Sequence, residues 1–351
     1  MKRREFLAAG AATGLAVWLG SSSVFAQETL TLAAEELRGM RIADPHAHPL
    51  WIFGSGSNDR SAPTVSMLKK AGVGLCAFSA VGDSVFFRSR GGSPFTETLT
   101  QLDRARRLVD KKDLVFSADD LSALKPAPET PRALLAIEGG DALEGKIGHL
   151  DTFFREGVRM MTLIHDRDSE LGFNQRSSTD GPLTPFGVQV VERMNELGML
   201  IDVAHAKTET LKSIVDHSRK PVIDSHTAPY LPGEEGRGPR RLRRWQEMEW
   251  VAKNGGVVCT WPLGFSGKLS ERLSLLQWAE EIVRMKSRLG IEHCGLGTDG
   301  GGGLNPLING WESIVSLPAL VAALREAGLS HDDVAAFVGG NFLRVLEKSL
   351  S

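Results

Sequence analysis

Cysteine is scarce in this 351-residue chain: Cys76, Cys259 and Cys294 are an odd number, which excludes a closed disulfide framework. Each lies inside an apolar, strand-like run and reads first as a small buried hydrophobe, with one bridge between Cys259 and Cys294 as the alternative if their strands are neighbours. Charge of one sign is also lacking. The 41 basic and 43 acidic residues leave −2, a balance that implies neither nucleic acid nor an anionic membrane as partner. No Pro/Gly/Ser-rich linker divides the chain, no internal repeat appears, and no Gly-rich dinucleotide fingerprint follows the first apolar run.

The longest apolar stretch near the start, Phe6 to Leu19, is too short to span a bilayer. Lys2, Arg3 and Arg4 precede it and Val24-Phe25-Ala26 follows as a small-residue cleavage site, the layout of an export signal over residues 1–27. Adjacent arginines before Glu5-Phe6-Leu7 resemble a twin-arginine signal, which makes the twin-arginine export machinery the expected partner and the periplasm the expected location. An ordinary secretory signal or an uncleaved anchor is the alternative. Residues 28–351 are then expected to form a single domain.

Within them, short apolar runs recur near 41–46, 72–81, 132–138, 157–165, 198–205, 220–226, 255–262 and 293–299, most followed by an amphipathic stretch. Strands buried on both faces read as continuous apolar runs, so eight such units predict a (β/α)8 TIM barrel. Apolar residues three and four apart place helices at Pro185–Leu197, Thr208–His217 and Leu275–Leu289. Ser313–Ala327 and His331–Leu350 follow the eighth run as extra C-terminal helices, expected outside or under the barrel. An open doubly wound sheet is the competing architecture.

Histidines and carboxylates sit where the runs end, and a barrel builds its active site at strand C-termini. His46 and His48, two apart on one strand, point the same way. Glu138 follows Ala133–Ile137, His205 follows Leu200–Val203, His226 follows Val222–Ser225, and Asp299 closes the eighth run. Taken singly, each reads equally well as a core or strand-end residue. Their recurrence at separate strand ends predicts a site for one or two divalent ions, with Asp299 placed to carry a proton. Arg237, Arg240, Arg241, Arg243 and Arg244 read mostly as a solvated basic loop and helix start, and Trp51 and Phe53 as mouth-lining or loop-packing residues. Asp224 is a carboxylate that either orients a ligand histidine or binds backbone. His149, His217, His293 and His331 read as structural or exposed.

From about Gly39 onward the chain resembles the membrane dipeptidases, zinc peptidases of the amidohydrolase superfamily. Leu183-Thr184-Pro185-Phe186-Gly187 through Met194-Asn195-Glu196-Leu197-Gly198-Met199-Leu200-Ile201-Asp202-Val203-Ala204-His205 carries the resemblance, supported by Ile137-Glu138-Gly139-Gly140, Ser225-His226, Gly297-Thr298-Asp299 and Gly339-Gly340-Asn341. It implies two Zn2+ per chain, with His46 and position 48 holding one, His205 and His226 the other, and Glu138 bridging both. It further implies Asp299 as acid/base, His165 as a substrate contact, and Arg240, or the neighbouring Arg241, as partner of a small peptide's terminal carboxylate. The family usually has His-x-Asp on the first strand where this chain has His46-Ala47-His48. A neutral imidazole there makes the site one unit more positive, so the first-strand ion is expected to be held less tightly.

The expected activity is hydrolysis of dipeptides with a free C-terminal carboxylate, D-residues included. Rival readings are another amidohydrolase, acting on lactones or N-acyl amino acids, and an inactive periplasmic metal-binding protein. A homodimer is the assembly left open.

Overall fold

In a computed structural model, residues 15–49, 59–83, 92–234 and 241–351 are described, with side chains from residue 27. Eight strands run parallel around a barrel in sequence order: β1 Ile42–Ala47, β2 Val73–Val81, β3 Arg132–Glu138, β4 Val158–Thr162, β5 Leu200–Asp202, β6 Ile223–Thr227, β7 Val257–Thr260 and β10 Cys294–Leu296. Between the last two, β8 Phe265–Ser266 and β9 Glu271–Arg272 form a small antiparallel hairpin. The expected (β/α)8 barrel is the fold. The strands are buried almost throughout, as their unbroken apolar runs require.

The helices are α1 Leu15–Arg38, α2 Val65–Lys70, α3 Pro94–Arg106, α4 Ala118–Ser122, α5 Ile147–Arg155, α6 Pro185–Leu197, α7 Thr208–His217, α8 Trp245–Lys253, α9 Leu275–Leu289, α10 Leu317–Glu326, α11 His331–Ala335 and α12 Asn341–Leu350. The three helices read from periodicity, α6, α7 and α9, have the expected bounds, and for α6 and α9 the starts are written in the sequence. Thr184 accepts from the Gly187 N–H ahead of Pro185, and Ser274 and Gln277 form a reciprocal cap on α9. Helix α1 continues across the expected signal boundary and buries Ala33 and Leu37 against the outer layer. No helix among the described residues is long and apolar enough to cross a membrane.

Two apolar layers result. Inward-facing Ala43, Leu75, Leu134, Met160, Leu200, Ile223 and Val257 pack with Phe342, Leu343, Val345 and Leu346 of α12, which therefore fills the barrel floor as expected for the C-terminal segment. Helix α10 packs outside, against α9 and α1. Gly295 pairs with Cys259 and Cys294 with Val258, yet all three cysteines are free. Cys259 faces the barrel interior and Cys294 the helical layer, so no bridge can form between them.

The barrel closes between β1 and the end of β10. Asp299 N–H donates to the His46 carbonyl at 2.9 Å, His48 N–H to the Gly300 carbonyl at 2.7 Å, and the Thr298 N–H to Asp44 Oδ1 at 3.0 Å. This seam tolerates no side chain at two positions. A Cβ on Gly301, whose φ is +86°, would lie 2.2 Å from the His48 carbonyl oxygen, and one on Gly302 would lie 2.0 Å from Asp299 Oδ1.

Candidate metal centre

Every strand-end histidine and carboxylate singled out above, from β1, β3, the β4 and β5 ends, β6 and the β10 end, meets at the C-terminal mouth. Glu138 lies at the middle, 2 % exposed. Its Oε1 is 3.4 Å from His46 Nε2, 3.2 Å from His205 Nε2 and 3.5 Å from His226 Nε2. Its Oε2 is 3.3 Å from His48 Nε2 and 3.5 Å from His165 Nε2. Asp299 Oδ1 stands 3.5 Å from His48 Nε2. Three overlapping groups, His46/Glu138/His226, His46/His48/Asp299 and Glu138/His165/His205, each bring one ligand atom per residue within 4.8 Å of the others.

Backbone geometry aims two of these side chains against the usual preference. His205 and Asp299 have φ of +63° and +46°, the left-handed region that non-glycine residues seldom occupy and that clusters at functional sites. His48 is fixed from behind: its Nδ1 donates to the Ser79 carbonyl at 2.9 Å, which leaves Nε2 facing the centre.

The donor set fits a divalent ion of the zinc type. His205 Nε2 and His226 Nε2 are only 2.8 Å apart, and two ring nitrogens at that distance satisfy each other through one proton at most. Burial first, with Arg241 next for His205 and His46 next for His226, holds both imidazoles well below their ordinary range, so they present neutral nitrogen. Burial pushes Glu138 up, but His165, His46 and His205 outweigh it and keep the carboxyl well below its usual range. Nitrogen and carboxylate donors in this number suit a divalent transition ion.

Around the centre, the basic segment divides. Arg240, Trp51 and Phe53 lie outside the described residues. Arg241 pairs with Asp166 and is 28 % exposed at the side chain. Arg243, one of five arginines read mostly as a solvated loop and helix start, is buried. Its Nε donates to Asp224 Oδ2 at 2.7 Å, its Nη2 to the Val203 carbonyl at 2.6 Å and its Nη1 to the Ala206 carbonyl, so it clamps the β5 end to β6. Asp224 thus orients no histidine directly. Outside the centre, His149 stacks on Phe95, and His217, His293 and His331 hold Ser213, Gly256 and Glu36 respectively.

Asp83 is a site residue that the sequence reading does not single out. Asp83 Oδ2 stands 3.2 Å from His165 Nδ1 and accepts the Asp166 N–H at 2.7 Å, bracing the His165 ring. Its signal was present, since Val81-Gly82-Asp83 ends an apolar run just as the other strand-end carboxylates do.

Comparison with known proteins agrees with this geometry. The chain is 31% identical over 264 residues to an uncharacterized dipeptidase of Schizosaccharomyces pombe, covering 72% of this chain and 62% of that one. It is 25% identical over 277 residues to the dipeptidase tcpJ of Claviceps purpurea, covering 76% and 63%. The chain therefore spans less than two thirds of these relatives' lengths. Among solved structures, the probable dipeptidase PvdM of Pseudomonas aeruginosa superposes with a TM-score of 0.77 at 20% identity, covering 92% of this chain and 99% of that one. A metallopeptidase of Rhodobacter sphaeroides, liganded with a phosphinate mimic of L-Ala-D-Ala, superposes with a TM-score of 0.74 at 16% identity, covering 89% and 99%. At these identities the structures speak for the barrel alone. The model of the membrane dipeptidase family, peptidase family M19, matches residues 37–350, and the chain belongs to that family.

Proposed function

We propose that this protein is a zinc dipeptidase that cleaves small dipeptides bearing a free C-terminal carboxylate, D-residues included. The observation that carries the reading is the convergence of His46, His48, His205 and His226 on the two oxygens of one buried carboxylate, Glu138, inside a chain of this family. Acceptance of a D-residue rests on the family resemblance and not on the structural neighbours.

Two Zn2+ would be held, one by His46 and His48 and one by His205 and His226, with Glu138 shared. Metal bound there would supply Lewis acidity, lowering the pKa of an attacking water and polarising the scissile carbonyl. Asp299, 3 % exposed and level with His48, takes the water's proton and returns it to the departing amine. His165, held by Asp83, donates from Nε2 to the developing oxyanion. Arg241, or Arg240 beside it, pairs with the substrate carboxylate. The basic residues 2–4 and the apolar stretch after them support export by the twin-arginine route to the periplasm.

The test is a panel of L,L- and L,D-dipeptides, N-acyl amino acids and lactones offered to the zinc-reconstituted protein. Cleavage of dipeptides but not of N-blocked or lactone substrates is the expected result. Preference for a lactone or N-acyl amino acid would install the rival hydrolase reading, and inertness toward all would install the binding protein.

A further inference from the structure

Behind the imidazoles lies a hydroxyl–carboxylate cluster to which the hydrolytic reading gives no part. Asp202, at the end of β5, is fully buried and accepts four hydrogen bonds. The Ala204 and Ser225 N–H groups reach Oδ1, both at 3.0 Å, while Thr162 Oγ1 at 2.5 Å and Ser225 Oγ at 2.6 Å reach Oδ2. The two backbone N–H groups fill Oδ1, and both hydroxyls are placed to donate to Oδ2.

A serine hydroxyl has one proton. With that proton committed to Asp202, Ser225 Oγ can only accept from its other neighbours, which are His226 Nδ1 at 2.8 Å and His46 Nδ1 at 3.3 Å. Each ring therefore carries its hydrogen on Nδ1 and leaves Nε2 bare toward Glu138 Oε1. The control is graded. Ser225 Oγ is closer to His226 than to His46, whose Nδ1 has a second neighbour in Ser79 Oγ at 3.4 Å.

We propose that Ser225 and Asp202 are positioning residues that set the tautomer of His226 and His46, readying one ligand for each half of the centre through a single hydroxyl. The link to metal rests on the proposed function above, whereas the tautomer belongs to the metal-free chain and can be read without it.

The experiment compares wild type, Ser225→Ala, Asp202→Asn and the double variant in two measurements. Ring-nitrogen NMR of the metal-free protein assigns the His226 tautomer, and chelator competition gives the Zn2+ affinity. Ser225→Ala removes the acceptor and should lower affinity about tenfold. Asp202→Asn puts an amide N–H2 against Ser225 Oγ, which frees the serine proton to donate to His226 Nδ1 and forces hydrogen onto the metal-facing Nε2. The near-isosteric change should therefore do more harm than the deletion, about a hundredfold, and adding Ser225→Ala to it should restore the tenfold level. A purely structural Asp202 would leave the double variant at least as poor as Asp202→Asn. The proposal is overturned by an Nε2–H tautomer of His226 in wild type, by Asp202→Asn binding as well as Ser225→Ala, or by a double variant no better than Asp202→Asn. A wild-type spectrum as expected in a protein that takes up no zinc would sink the metal reading and leave the tautomer assignment standing.

Discussion

Arg243 Nε donates to Asp224 Oδ2 at 2.7 Å, with both side chains 1 % exposed. Burial raises the Asp224 carboxyl to about 6 even though Arg243 works to lower it, so the partner's charge is what keeps this acid ionised near neutrality. Arg243→Ala would strand that acid, unpair the Ala206 carbonyl and leave the Val203 carbonyl with the Ala206 N–H alone. The expected cost is about 3–5 kcal/mol, seen as a melting temperature lower by roughly 5–10 °C. A melt within a degree or so of wild type would show that the clamp is dispensable.

Arg241 stands beside the same segment but is partly exposed, and its removal should act on binding. Arg241→Ala is expected to raise KM for carboxylate-bearing dipeptides while leaving kcat and the melting temperature close to wild type. If KM is unmoved, the carboxylate partner is Arg240, and the same measurement on Arg240→Ala decides it.

Metal loading should depend on pH in a way that singles out the first strand. Burial works to lower the His48 imidazole, but Asp299 and Glu138 outweigh it and raise it from 6.5 to about 10. Between those values the stripped protein keeps a proton on His48 that an ion must displace, so affinity there should climb with pH by up to about tenfold per unit. The same raised value stabilises the stripped fold fully below 6.5, and that contribution is lost as pH rises through about 10. Zinc competition across mildly acidic to alkaline buffers, with proton release followed by an indicator dye, checks this. His48→Asp should tighten the weaker ion and flatten the dependence over that range. Equal affinity at every pH would remove the argument.

Asp299→Asn keeps the size of the side chain but cannot take up a proton. Both ions should stay bound while turnover falls about 10²–10⁴-fold. Near-normal turnover would take the proton shuttle away from Asp299. Loss of one ion instead would make Asp299 a ligand, which its place beside His46 and His48 allows.

Most of the barrel was legible because parallel strands buried on both faces leave continuous apolar runs, and because caps such as Thr184 and Ser274 mark helix starts locally. The candidate ligands were legible for a related reason, since polar residues at the ends of such runs have nowhere to go but the mouth. Arg243 was not. Five arginines in one irregular stretch look alike in sequence, and only the approach of the β5 end makes one of them an interior clamp. Asp83 carries the same strand-end signal as Glu138, while the role of Ser225 depends on which neighbour takes a single proton, a question that composition and spacing do not pose.

The seam that closes the barrel also has a kinetic meaning. Thr298 reaches Asp44 across 254 residues of sequence, and the adjoining contacts join His46 to Asp299 and His48 to Gly300. Contacts so distant along the chain bear the largest loop-closure entropy and are among the last to repay it. Until they form, β1 and β10 are two free sheet edges, with His46 and His48 on one and Asp299 on the other. An unclosed barrel therefore has no complete centre. If the seam closes last, folding and the assembly of the proposed site end together, and an ion that binds only the closed form would act as a fastener across the seam, slowing its reopening.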